Sequence, residues 1–98
     1  MLRIFRYQLY PDKSGVCKVR MPINASILKL SNNDKHEINL HCIVETDYPE
    51  EERTFVILGT GATLEGELAT YIMNYIGSFE KKNLYMFHVF EMLKDSHV

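Results

Sequence analysis

Tryptophan is absent from the sequence, and cysteine, proline and glycine are scarce, with two, three and five residues among 98. Two cysteines are too few for the disulfide framework that stabilises small secreted domains, so we expect a reducing, intracellular setting. No apolar run approaches the roughly 18 residues that a membrane-spanning helix needs, and the first residues become polar too soon for a secretory signal. We therefore expect a single globular domain over residues 1–98, with residues 92–98 as a frayed tail.

Basic residues are not in excess, because 11 Lys and Arg stand against 13 Asp and Glu, a net charge of −2. This balance argues against a general nucleic-acid coat protein, and we expect no sequence-specific nucleic-acid binding. The charges are unevenly placed: residues 1–29 carry six Lys and Arg against one Asp, a charge of +5, and residues 30–98 carry five against twelve, a charge of −7. Chance placement explains this distribution, and so does a molecule with one basic face and one acidic face. The second arrangement would favour self-association or a charged partner.

Apolar and polar residues alternate along most of the chain, which is the pattern of half-buried strands. The alternation and the turn residues between its segments predict six or seven strands, namely Leu2–Leu9, Val16–Met21, Ser26–Ser31, Glu37–Glu45, Arg53–Gly59, Tyr75–Glu80 and Leu84–Met92. The turn at residues 11–15 suggests that the first two strands form a hairpin. The outer face of this hairpin would be a basic face that carries Arg6, Lys18 and Arg20.

A change of periodicity follows the fifth predicted strand. Apolar residues recur at helical spacing from Leu64, which predicts a short helix at about 64–73. The fifth and seventh strands are apolar on both faces, so we expect them to be central and covered on each side. The predicted fold is mainly β (α+β), an antiparallel six- to seven-stranded sheet or barrel with one short inserted helix. The helix or a second copy of the chain, in a homodimer, would cover the second apolar face.

Several short pieces, taken in order, resemble a small domain of unknown function found mainly in bacteriophage genomes. The pieces cover most of residues 2–91, and they are Ile4–Leu9, Met21-Pro22 with Ala25, Arg53–Phe55, Gly59–Gly61, Tyr75–Ser78 and Phe87–Glu91. The connection at residues 62–74 is longer and more amphipathic than in the family's pattern, which makes it a candidate for a specialised contact. The resemblance implies a bacteriophage protein in the cytoplasm of an infected bacterium, and it implies no activity.

The Gly59-Thr60-Gly61 segment is a possible anion or ligand loop, because backbone N–H groups of such a loop can hold a phosphate. No Walker pattern accompanies it, and a turn that needs positive φ explains both glycines, which favours a structural role. The histidines and cysteines show neither Cys-x-x-Cys nor His-x-x-x-His spacing, so we predict no metal and no cofactor.

Nothing in the sequence predicts catalysis. Cys17 and Cys42 fall on inward positions, where burial raises the pKa of a thiol and suppresses its reactivity. His88 and Glu91 are three apart on one strand and therefore face opposite sides. No serine is predicted to lie near a His/Asp pair. We expect a binding protein rather than an enzyme.

Binding functions of two kinds remain. One is an inhibitor of a bacterial defence or host protein, of the counter-defence or anti-CRISPR type, which acts by protein–protein contact. Its candidate residues are Glu50, Glu51 and Glu52, predicted to lie in an acidic loop, and Tyr71 and Tyr75, since tyrosine is a favoured interface residue. The other is a small-ligand binder that sequesters a nucleotide signal at residues 59–61 and the basic face. A minor virion or morphogenesis component is a third possibility.

Overall fold

The structure, a computed structural model, describes residues 1–33, 35–66, 69, 71–81 and 85–94, with the backbone alone for residues 71, 72 and 94. Within these residues the chain forms seven strands and no helix. The strands are β1 (Leu2–Leu9), β2 (Val16–Pro22), β3 (Ser26–Asn32), β4 (Ile38–Glu45), β5 (Glu50–Gly59), β6 (Tyr71–Lys81) and β7 (Tyr85–Lys94). None of the described residues forms a helix with the length and apolar character needed to cross a bilayer.

The strands form two antiparallel sheets that pack face to face. The three-stranded sheet has the order β1-β4-β3, and the four-stranded sheet has the order β2-β5-β7-β6. The core lies between them and is completely buried at Leu40 and Cys42 on one side and at Met21, Phe55 and Val89 on the other. Burying each of the larger apolar side chains contributes about 1.5–3 kcal/mol. The sheets therefore stabilise each other as the two layers of a sandwich.

The alternation within the strands is confirmed. The residues predicted to point inward in β2 and β4, among them Cys17, Val19 and Val44, are at least 92% buried apart from Ile38, which is half-buried. The strands predicted to be central are central, since β5 lies between β2 and β7, and β7 lies between β5 and β6. β7 extends to Lys94, beyond the strand end predicted at Met92.

The predicted hairpin of the first two strands is wrong. β1 pairs with β4, and β2 pairs with β5, so the turn between them carries the chain from one sheet to the other. Gly15 explains the crossing, because its carbonyl accepts a hydrogen bond from the Ile57 N–H at 2.9 Å and so ties the turn to β5. The turn residues specify a reversal of direction, and they leave open which sheet the next strand joins.

The barrel and the helix are also corrected. The described strands form two open sheets instead of a closed barrel. No helix is shown over the predicted range of about 64–73: residues 62–65 have no regular structure, residues 66 and 69 are in 3₁₀ conformation, and Tyr71–Met73 begin β6, while residues 67, 68 and 70 lie outside the described part. Aromatic and β-branched residues favour strands, and here pairing with β7 overrides the helical spacing.

The end of β5 and the start of β6 lie at opposite ends of β7, which separates these two strands in the sheet. Gly59 lies opposite Phe87 at one end of β7, and Tyr71 lies opposite Lys94 at the other end. β5 and β6 therefore run in the same direction with β7 between them. As a result, Gly59 is brought to the same end of the sandwich as the β1–β2 and β3–β4 turns.

Candidate functional site

A cleft of about 510 Å³ opens at this end of the sandwich. Its walls come from the β1–β2 turn, the β3–β4 turn, the ends of β5 and β6, and the start of β7. Its volume falls within the range of small-molecule sites in proteins, roughly 300–1,000 Å³. We call it the end cleft, and it is the candidate functional site.

The floor of the end cleft is aromatic and aliphatic. Phe79 and Phe87 stack with their ring centroids 5.5 Å apart and their planes 18° apart, and Ile38 and Ile57 complete the floor. Gly59 lies beside the Phe87 ring, because a Cβ at Gly59 would be 3.4 Å from it. Phe79 belongs to the core at 8% exposed, and Phe87 is half-buried and packs against it, so Phe87 offers the ligand most of this apolar surface.

The rim of the end cleft carries positive charge. Lys13 comes from the β1–β2 turn and Lys81 from the end of β6, and His36 stands on the β3–β4 turn. Among the described residues, neither lysine forms a salt bridge. Ammonium groups without a carboxylate partner are suited to hold an anionic group of a ligand.

The described part of the lining contains one carboxylate, that of Asp12, and it is hydrogen-bonded to its own turn. Asp12 Oδ1 accepts hydrogen bonds from the Ser14 N–H and hydroxyl, each at 2.8 Å, and from the Val16 N–H at 3.0 Å. The bond from the Ser14 side chain, followed by those from the backbone, lowers the pKa of Asp12. This carboxylate therefore holds the turn that presents Lys13.

His36 is held at the lip of the cleft in a backbone conformation that is uncommon for a residue with a side chain. Its φ is 64°, in the left-handed region. Asn33 maintains this turn, since its Oδ1 accepts from the N–H groups of Lys35 at 2.9 Å and Glu37 at 3.1 Å. Strain of this kind persists where the surroundings impose it, and it is frequent at functional sites.

The Gly59-Thr60-Gly61 segment is divided by the structure. Gly59 lines the end cleft, and Thr60 and Gly61 are not part of its lining. The Thr60 N–H donates to the Met86 carbonyl and the Ala62 N–H to the Gly59 carbonyl, each at 3.0 Å. Gly61 has a φ of +92°, as a tight turn requires. The segment is a turn at the edge of the site, and the N–H groups of Thr60 and of the following Ala62 are already bonded to the protein.

The outer face of the four-stranded sheet holds a chain of hydroxyl groups around His88. Ser78 Oγ lies 2.8 Å from His88 Nδ1 and 2.5 Å from the Tyr75 hydroxyl, and Thr60 Oγ1 lies 2.8 Å from His88 Nε2. The described hydrogen-bond partners of His88 include no Asp, so this contact does not contradict the prediction that no serine lies near a His/Asp pair. Both ring nitrogens bond to hydroxyl groups, so the carboxylate that orients a catalytic histidine is replaced here by Thr60.

Three residues beyond His88, on the inner face of β7, Glu91 forms a buried ion pair with Arg53. Arg53 Nε donates to Glu91 Oε2 and Arg53 Nη2 to Glu91 Oε1, each at 2.7 Å. Arg53 Nη1 donates to the Ala25 carbonyl at 2.6 Å. The hydrogen bonds to Glu91 raise the pKa of Arg53. His88 and Glu91 face opposite sides of the sheet, as predicted from their spacing.

Both cysteines are buried on the inner faces, as predicted. Burial raises the pKa of the Cys17 thiol to about 11 and also raises that of Cys42, so neither is ionised near neutral pH. Within the described residues, no group of three His, Cys, Asp or Glu side chains is arranged to hold a metal ion.

The predicted acidic loop is part of a strand. Glu50, Glu51 and Glu52 begin β5 and pair with residues 20–22 of β2, and all three are exposed. They lie at the opposite end of β5 from the end cleft. Tyr75 is 61% exposed on β6 and packs edge-on against Phe90. Tyr71 is the first residue of β6, and its side chain lies outside the described part.

The predicted basic face does not form. Arg6 lies in the three-stranded sheet, whereas Lys18 and Arg20 lie in the four-stranded sheet. Arg20 is paired with Glu52, and its Nε is 3.9 Å from Glu50 Oε1. The positive residues of the site are instead Lys13 and Lys81, which sequence reasoning missed. The sequence does place both lysines in or beside predicted turns, at the same end of the predicted strands, and this position could have identified them.

These features define a small two-sheet β-protein with a cleft at one end of the sandwich. The sequence matches the family model described as Domain of unknown function (DUF7352) over residues 1–97, and the chain belongs to that family. Neither the curated proteins nor the solved structures include a match to the chain.

Proposed function

We propose that this protein binds a small organic anion with a flat apolar portion, in the class of nucleotides, in the end cleft. The observation that carries the proposal is the stacked pair Phe79 and Phe87 beneath two lysines that have no described carboxylate partner. A protein with this site and this size acts by holding its ligand and so withdrawing it from solution. Sequestration of a nucleotide signal is the function that this arrangement supports best.

The aromatic floor and the basic rim of the cleft match the base and the phosphate of a nucleotide. A planar base stacks on an aromatic ring with a gain of about 1–3 kcal/mol per base, and the exposed side of the Phe87 ring is available for this contact. Charge-assisted hydrogen bonds from lysine suit a phosphate. Because the Thr60 N–H is bonded to the Met86 carbonyl of β7 and the Ala62 N–H to the Gly59 carbonyl, the anion is held by side chains rather than by a backbone loop.

A binding role rather than catalysis is supported by the placement of the reactive residues. Ser78 and His88 lie on the outer face of the four-stranded sheet and do not line the end cleft. The Asp12 carboxylate, which does line it, is engaged by Ser14 and Val16.

Thermal unfolding in the presence of nucleotides tests the proposal. A panel of AMP, GMP, cyclic AMP and cyclic di-GMP should include a compound that raises Tm by roughly 10 °C at about one hundred times its Kd. The double variant Lys13→Ala/Lys81→Ala should lose most of this shift. The matched control, Lys18→Ala, removes an exposed lysine outside the cleft and should retain it. An unchanged Tm with every compound, or an undiminished shift in the double variant, would contradict the proposal.

A second candidate function is inhibition of a bacterial defence or host protein by direct contact, as a counter-defence protein of a bacteriophage. The observation that favours it is the exposed row Glu50–Glu52, which projects from β5 at the end opposite the cleft. Glu50 and Glu52 point to one side of the strand and Glu51 to the other, so the basic groove of a nucleic-acid-binding protein would enclose this end of β5, and electrostatic complementarity would speed association.

Charge reversal tests this second candidate. The double variant Glu51→Lys/Glu52→Lys should weaken capture of a stoichiometric partner from bacterial lysate at least tenfold, and its Tm should change little because both side chains are exposed. The control Glu65→Lys/Glu80→Lys makes the same change of charge at two other exposed positions. Equal capture by both double variants would rule out recognition through the acidic row.

A further inference from the structure

β1 presents an open edge of the three-stranded sheet. It pairs with β4 in one unbroken register from Leu2 to Leu9, and its other side has no strand partner among the described residues. Side chains along this edge are unusually exposed for apolar residues, with Leu2 at 70%, Ile4 at 66% and Phe5 at 38%. A long edge with an unbroken register and exposed apolar side chains is a template for pairing with another strand.

The other described edges carry the features that prevent such pairing. β2 ends in Pro22, which has no N–H to donate to a further strand. β3 and β6 each contain an irregularity in register, at Ile27/Lys29 and at Tyr75/Gly77. These two strands also lie against each other, and the Asn32 side chain donates to the Glu80 carbonyl at 3.4 Å. β1, which is described throughout, has neither a proline nor a bulge, and this difference singles it out.

The backbone groups that point outward can be identified from the ladder. The Thr46 N–H donates to the Met1 carbonyl at 3.0 Å, which makes Met1 and Thr46 a hydrogen-bonded pair. Bonding alternates along an antiparallel ladder, so the odd-numbered residues of β1 bond to β4. The N–H and C=O groups of the even-numbered residues therefore face away from the sheet, at Leu2, Ile4, Arg6 and Gln8.

We propose that a second copy of this chain pairs with the open edge of β1, antiparallel and centred on Phe5. The three-stranded sheets of the two copies then continue as one six-stranded sheet across a two-fold axis. An axis of this kind uses the same residues of both copies, so the interface is self-complementary.

The centre at Phe5 follows from hydrogen bonding and from charge. It places Leu2 opposite Gln8 and Ile4 opposite Arg6, so every outward N–H and C=O of these residues finds a partner. A centre at Arg3 or Arg6 would place two guanidinium groups opposite each other, which is destabilising. A centre at Ile4 would leave the outward groups of Gln8 unpaired. The Phe5 centre also brings Arg3 opposite Tyr7, where a cation–π contact is favourable.

The molar mass of the intact protein and of an edge variant tests the proposal. Light scattering after size exclusion at about 100 µM should give twice the chain mass of 11.5 kDa. Ile4→Pro removes an outward N–H and no bond to β4, so it should give the monomer mass with an unchanged circular dichroism spectrum. Ile4→Val keeps the N–H and should remain a dimer. A monomeric wild-type protein, or a dimer that persists in Ile4→Pro, would overturn the proposal.

Cysteine cross-linking tests the register and does not depend on how Ile4→Pro folds. Opposite residues of a non-hydrogen-bonded pair have Cβ atoms roughly 4.5–5.5 Å apart, near the disulfide range. Phe5→Cys should therefore form a covalent dimer on mild oxidation, whereas Gln8→Cys and Ile4→Cys should not. The native Cys17 and Cys42 are at least 99% buried and do not compete. Cross-linking through Ile4→Cys or Gln8→Cys in place of Phe5→Cys would overturn the Phe5-centred pairing.

Discussion

Arg53 and Glu91 form an ion pair within a core that is otherwise apolar. Their side chains are 17% and 9% exposed, and two parallel hydrogen bonds join them. The remaining guanidinium nitrogen donates to the Ala25 carbonyl. Removing both charges from water is costly, and the full set of hydrogen bonds offsets this cost. Either residue alone would be an unneutralised charge in the core, so the two depend on each other.

Removing one partner of this pair should be strongly destabilising. Glu91→Ala is expected to lower the free energy of unfolding by about 3–5 kcal/mol, whereas Arg53→Met/Glu91→Leu should recover most of the loss. Urea unfolding measures both values. Arg20→Ala is the control, because the exposed Arg20–Glu50 pair at 3.9 Å is worth at most about 1 kcal/mol. Similar losses in Glu91→Ala and Arg20→Ala would show that the buried pair has no special weight.

At the scale of elements, the β1–β2 turn decides the topology. Gly15 has a φ of +86°, and a Cβ at this position would lie 2.5 Å from the Ile57 carbonyl oxygen. The turn thus brings its backbone against β5 while β1 stays in the other sheet. Because Lys13 lies on this turn, the same close approach also positions one charge of the end cleft.

Alanine substitutions at two glycines should separate crowding from backbone strain. Gly15→Ala is expected to cost about 2–5 kcal/mol, because a left-handed residue with a side chain costs roughly 1–2 kcal/mol and crowding adds about 1–3 kcal/mol. Gly61→Ala has a similar φ of +92° but no atom within 4 Å of its Cβ, so it should cost only about 1–2 kcal/mol. Chemical unfolding compares them. An equal loss of unfolding free energy in the two variants would mean that the backbone near Ile57 moves to accommodate the new Cβ without cost.

At the scale of the whole molecule, the sandwich separates three surfaces. The end cleft lies at one end, the row Glu50–Glu52 at the other, and the open edge of β1 along one side. No described residue of β1 lines the cleft. Ligand binding, contact with a basic partner and pairing of two copies can therefore be tested by variants that do not overlap.

Much of the local structure could be predicted because its signal is local. The alternation in Leu2–Leu9 and in residues 38–45 identifies strands and their buried faces, since successive side chains of a strand point to opposite sides. The burial of Cys17 and Cys42 follows from the same rule. The helix predicted at about 64–73 failed at Tyr71–Met73, where spacing suggested one structure and pairing with β7 imposed another.

The candidate site was largely out of reach of sequence reasoning. Its floor joins Phe79 and Phe87, and its charges come from Lys13 and Lys81, which lie 68 positions apart in the sequence. The glycines of the 59–61 segment were recognisable as turn residues. The fact that Gly59 lines the cleft, whereas Gly61 does not, depends on where β6 and β7 end.

The sequence by itself determined which segments are strands, which faces they bury and where turns occur, because these properties depend on neighbours along the chain. Only the tertiary structure decided that β1 pairs with β4 and β2 with β5, and that the acidic residues Glu50–Glu52 lie in a strand. The scarcity of cysteine leaves the fold without a disulfide among the described residues, since both thiols are free and buried. Strand partners are chosen by the burial of all the apolar faces at once, and that choice is a property of the whole chain.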